Sequence, residues 1–189
     1  MASVRGVHSV CDSIVQFLRN AYPLQEDFPF QFRVVSSSEL NGQGFDETLS
    51  LYLYRVTVNE HVRSQPLPGR DAGDSPPLSI DLHFMLSLWT KSAAAEQTVC
   101  AWVMQQLHHY PLLDQSSLTA EGGWRSDDVV QIIPAELSNE DLMRIWDALA
   151  ADYRLSLSYI ARVVRIDPPE EEESVPVVAT RFHYVERKP

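Results

Sequence analysis

A chain of 189 residues with 44% hydrophobic content is long enough to close one substantial core. Its 26 acidic against 15 basic side chains give a net charge of −11, so a polyanion is repelled over most of the surface, and neither nucleic acid nor an anionic membrane is an expected partner. No stretch approaches the roughly 18 uninterrupted apolar residues of a membrane span, and charges interrupt MASVRGVHSVCDSIVQFLRN where a secretory signal needs an apolar run, so the chain is expected to stay in the compartment where it is made.

Val7, Val10, Cys11, Ile14 and Leu18 recur at helical spacing and predict an amphipathic helix that stops before Pro23. PFQFRVVS (29–36) places Phe30, Phe32 and Val34 on one side of a strand, and the polar SSSELNGQGFDET after it reads as turns. LSLYLYRVTVN (49–59) sets Leu49, Leu51 and Leu53 against Tyr52, Tyr54, Val56 and Val58; apolar on both sides, it predicts a strand central in a sheet and covered on both faces. EHVRSQPLPGRDAGDSPP (60–77) holds four prolines and two glycines and is predicted as an irregular loop.

PLSIDLHFMLSLW (77–89) alternates so that Ile80, Leu82, Phe84, Leu86 and Leu88 share one face, leaving Asp81, His83 and Trp89 on the other. In SAAAEQTVCAWVMQQLHHY a stripe of Ala95, Val99, Trp102, Val103, Gln106 and Leu107 predicts a helix ending near Pro111. LLDQSSLTAEGGWRSDD is a second loop, and VVQIIP a short apolar piece. LSNEDLMRIWDALA opens with Ser138 as N-cap and Asp141 three residues on, then carries Leu142, Ile145, Trp146 and Leu149 as a third helix.

YRLSLSYIARVVRID (153–167) is the last strand of the domain. Leu155, Leu157, Tyr159, Ala161 and Val163 alternate with Ser156, Ser158, Ile160, Arg162 and Val164, which puts Arg162 and Arg165 on opposite sides. DPPEEEE breaks regular structure as an acidic linker, and SVPVVATRFHYVE is strand-like without a partner of its own. One domain over 1–167 and an arm over 168–189 are therefore expected. Cys11 and Cys100 sit apart in helical patterns and read as buried, reduced thiols.

Asp81 and His83 are the one pair that could carry chemistry, as metal donors or as a base with its orienting carboxylate. Zinc needs three or four ligands at recognisable spacings, and HExxH and CxxC are absent from the sequence. The pair is therefore read as the polar side of a sheet that meets solvent or a neighbour. His108 and His109 suit the negative end of their helix. There is no GxSxG elbow and no phosphate-binding glycine loop. No catalytic residue, metal or cofactor is assigned. Trp102 and Trp146 fall on apolar stripes and read as core; Trp89, Trp124, Arg162 and Arg165 are the candidates for an interface.

LSLYLYRVTVNEHVRSQPLP, PPLSIDLHFMLSLW, AAEQTVCAWVMQQLHHYPLL, VQIIPAELSNEDLMRIWDAL and YRLSLSYIARVVRID resemble, in order and spacing, the cap proteins of extracellular contractile injection systems, the phage-tail-like particles of the virulence-cassette and antifeeding-prophage type. The resemblance covers about residues 5 to 167. It implies an α/β (α+β) domain with a mixed or largely antiparallel sheet flanked by helices, like phage tail terminators. It also implies a non-enzymatic role: six copies form a ring on the distal end of inner tube and sheath and stop both from growing. Itself, the sheath protein and the tube protein are the implied partners, with assembly in the cytoplasm and a place in a particle released from the cell. Val177, Phe182 and Tyr184 in the arm suit strand addition, in which an exposed sheet edge is completed by backbone from a neighbouring subunit or a sheath arm. Two other readings predict different observations: a baseplate or cargo-adaptor part of the same particle, which would sit elsewhere in it, and a metal-dependent enzyme using Asp81 and His83, which would hold stoichiometric metal.

Overall fold

The computed structural model describes residues 2–41, 44–59 and 77–168. Helix α1 (Gly6–Ala21) leads to strand β1 (Gln31–Val35), the one-turn helix α2 (Ser37–Leu40) and the long strand β2 (Thr48–Val58). Then come β3 (Leu78–Trp89), α3 (Ala93–His109), the two-residue β4 (Leu112–Leu113), a 3-10 turn at Ala120–Gly122, β5 (Val130–Pro134), α4 (Asn139–Leu149) and β6 (Ser156–Ile166). The six strands make one sheet in the order β1-β2-β3-β6-β5-β4. β1 runs parallel to β2, and every other pair is antiparallel. The fold is thus α+β with a mixed sheet, as the resemblance implied.

Each face of the sheet buries a separate apolar cluster. On the first, Val10, Cys11, Ile14, Val15 and Leu18 of α1 and Ala95, Val99, Val103 and Leu107 of α3 pack on Leu49, Leu51 and the Ile80–Leu88 stripe of β3. The α3 contacts recur every fourth residue, a narrow stripe that leaves Trp102 and Gln106 half-buried on its flank. On the second face α2 and α4 supply Leu40, Trp146 and Leu149, which pack with Val35, Met85 and Trp89. Each fully buried large side chain contributes about 1.5–3 kcal/mol, so the larger first cluster dominates the core.

SSSEL, read as a turn, forms α2 because Ser36 and Glu39 cap each other: the Ser36 amide donates to Glu39 Oε2 at 2.8 Å while the serine hydroxyl serves the start of the helix. The N-cap expected at Ser138 is present, its Oγ accepting from the Asp141 amide at 3.1 Å. The loop around the 3-10 turn is stitched to α1 by polar side chains. Ser9 Oγ meets Thr119 Oγ1 at 2.7 Å, Ser13 Oγ accepts from the Thr119 amide at 2.8 Å, and Trp124 Nε1 donates to Ser9 Oγ at 2.9 Å.

Two bulges change which side chains share a face. In the β2–β3 ladder the register shifts between Leu53 and Arg55, so Val56 and Val58 stand opposite Leu82 and Ile80, on the side of Leu49, Leu51 and Leu53. The sequence alternation had put them on the other side and under cover; instead they are 47% and 52% exposed, because β1 accompanies β2 only from Thr48 to Tyr52. In the β3–β6 ladder Ile80 faces Val164 and Leu82 faces Ala161, so β6 carries one extra residue there. The buried stripe of β6 accordingly passes from Tyr159 and Ala161 to Val164 rather than to Val163.

Cys11 is buried and Cys100 half-buried, and both are free. Burial, helped by Asp12, pushes the Cys11 thiol up to about 12; burial and then Glu96 raise that of Cys100. Among the described residues no helix is long and apolar enough to cross a membrane.

Candidate partner-binding site

The apolar cluster of the second face reaches Met85, and toward the start of β3 that face turns polar. His83 and Asp81 of β3 lie between Arg55 and Thr57 of β2 and the bulged part of β6, which carries Arg162 and Arg165. Asp81 and His83 do share a face, as alternation requires, but Asp81 meets little solvent: it is 8% exposed. Asn59 Nδ2 donates to both its carboxylate oxygens, at 3.1 and 3.0 Å, and Arg162 Nε stands 3.3 Å from Oδ2. His83 Nε2 pairs with Thr57 Oγ1 at 3.0 Å. Burial, then the Arg55 charge, lower the His83 pKa below 6.5; Asp81 opposes the shift and Arg162 adds to it.

These partners decide what the pair can do. Both oxygens of Asp81 are engaged by cationic or amide donors, and a divalent ion there would sit against the Arg162 guanidinium. Among the described residues no three His, Cys, Asp or Glu side chains gather as a metal cluster. The geometry is that of a carboxylate holding strands β2, β3 and β6 in register.

The β6 bulge corrects the placing of the arginines. Arg162 and Arg165 do not fall on opposite sides; the extra residue turns both toward one cleft of about 520 Å³, lined also by Asn59, Asp127, Val129 and Gln131. Arg165 Nε is buried there without a hydrogen-bond partner among the described residues.

The two tryptophans reserved for an interface serve the chain's own packing. Trp89 is 7% exposed; it donates to Ser50 Oγ at 2.8 Å, stacks edge-on to Trp146, and Arg154 lies over its ring at 5.3 Å. It is interior because α4 covers this end of the second face. Trp124 is half-buried beneath the 3-10 turn, where a Cβ at Gly122 would collide with its indole. Val177, Phe182 and Tyr184 lie outside the described residues. Sequence reasoning missed Thr57 and Asn59 as partners of the pair, and missed the valines at the margin of β2, since both depend on a bulge that period-two counting cannot register.

Fold and site together define an α+β domain with a mixed six-stranded sheet whose polar side chains hold one another in place. The sequence profile of the Pvc16 N-terminal domain matches residues 9–180, and the chain belongs to that family. Two solved structures share the fold. One is the sheath/tube terminator, in the extended state, of the extracellular contractile injection system PVC: TM-score 0.61, 22% identity, over 97% of this chain and 64% of that one. The other is the tube-terminating cap of the anti-feeding prophage: TM-score 0.58, 17% identity, over 97% of this chain and 62% of that one. The chain therefore spans less than two thirds of either. No curated protein matches it in sequence.

Proposed function

We propose that the chain is the end cap of a contractile injection particle, closing the distal end of the inner tube and sheath and stopping their growth. The observation that carries this reading is the likeness of 97% of the chain to two terminators, together with membership of the Pvc16 N-terminal domain family. In this reading copies of the chain form a homohexameric ring, since a head-to-tail contact that closes yields a terminator and one that stays open yields a filament. Sheath and tube subunits are its partners, it is assembled in the cytoplasm, and it leaves as part of the particle. Residues 1–167 form the cap domain and 168–189 an arm that reaches a neighbour.

Electron microscopy of particles from a strain lacking the gene tests the reading. Tubes and sheaths of uncontrolled length are expected. Particles of normal length with a missing baseplate or empty lumen would assign the chain to another station in the same machine.

A further inference from the structure

Sheet margins are where a chain invites or refuses another chain, and the margins here are unequally guarded. At one end the edge strand β4 is only two residues long, and past it Ala135 donates to Ser158, so Ile132 and Pro134 of β5 turn their backbone groups away from β6. The Ile132 amide is taken by Pro111 O at 2.7 Å, and Pro134 has no amide to offer. At the other end Gln31 donates to Glu47, so Phe32 of β1 turns its backbone groups to the open side, and its carbonyl accepts from Arg19 Nη2 at 2.6 Å.

The second half of β2 differs. Asn59 donates to Ser79 at 2.8 Å, so residues 55, 57 and 59 turn their backbone groups to β3, while those of Val56 and Val58 face away. Among the described residues no strand pairs with that side beyond Tyr52. Val56, Val58 and Leu78, each about half exposed, form an apolar strip beside it. Polar edges are tolerated in free subunits; an apolar one is a template.

We propose that this margin receives the segment SVPVV–ATRFHYV, residues 174–185, of a second copy of the chain, by strand addition through the backbone of Val56 and Val58. The occupant follows from three observations. β6 is parallel to β2, so the chain leaves Ile166 at the end of the sheet where the open margin lies. The 21 residues 169–189 outside the described structure are enough for a tether and a segment that runs the length of the margin. Their valines and aromatic rings suit the apolar strip of Val56, Val58 and Leu78. This inference rests on the ring reading, which it deepens by naming the contact.

The test uses the full chain. Val58→Pro removes an outward amide and leaves the bonds to β3, so its melting temperature should stay within a few degrees of wild type while its assembly constant falls at least tenfold, read by sedimentation. Val178→Pro, in the proposed incoming segment, should do the same and serves if Val58→Pro fails to fold. In the wild-type assembly the amides of Val56 and Val58 should exchange slowly, and in the Val178→Pro protein quickly. Wild-type-like assembly of both variants, or fast exchange at Val56 and Val58 in the assembled protein, would overturn the contact and leave the ring standing. Slow exchange in a purely monomeric population would place the segment in its own chain and overturn the second-copy assignment. A wild type that stays monomeric at every concentration would sink both.

Discussion

Asp81 joins three strands, and the cost of losing it differs from that of losing its neighbour. Asp81→Ala leaves Asn59 without its bidentate acceptor and Arg162 without its counter-charge, so unfolding free energy should fall by about 1–3 kcal/mol in a urea titration. His83→Ala, which loses one exchangeable contact to Thr57, should cost clearly less than Asp81→Ala. The imidazole also gives a pH sign. Its folded pKa is depressed below 6.5, so as pH falls through that value the unfolded chain takes up the proton first and stability declines. Melts between pH 7.5 and 5.5 should show a shallower decline in His83→Gln; equal slopes would remove His83 from the account. That Asp81 and His83 share a face was legible in simple alternation. Their partners were not, because Thr57, Asn59 and Arg162 arrive from other strands, and pairing register is a tertiary fact.

The three long helices were well read, because caps and four-residue stripes are local, whereas the single turn of α2 is too short to show a stripe. Ser138 shows it: the Asp141 amide bond requires only residues three apart. Ser138→Ala should lower stability by about 1 kcal/mol. The other end of α4 stops at Ala150 with φ of 50°, a left-handed conformation that favours glycine. Ala150→Gly should therefore raise the thermal midpoint, with a gain of about 0.5–1 kcal/mol after the added freedom of the unfolded chain is counted. Strand faces were read well only up to the first bulge. In β2 the reading fails after Leu53, and in β6 after Ala161, since one inserted residue reverses every later side chain and leaves no mark in composition. Tryptophan was misplaced for a related reason: whether Trp89 is outside or inside depends on α4, an element fifty residues later, folding back over it.

The whole molecule carries a charge of −11 into any assembly of identical copies. Repulsion among them is long-ranged in dilute buffer, and shortening the Debye length to about 3 Å near 1 M salt suppresses it. If backbone pairing and apolar contact close the ring, sedimentation should show more of the closed form as salt rises. A fall with salt would mean that opposite charges, not valines and amides, make the joint. One further feature bears on oxidation. Oxidants attack sulfur through the thiolate, and a thiol held near 12, as Cys11 is, carries almost none at neutral pH. The chain's other sulfhydryl, Cys100, is shifted in the same direction, so in the proposed end cap neither thiol invites attack at neutral pH while the fold is intact. The protection of Cys11 lasts as long as the fold stays shut around it.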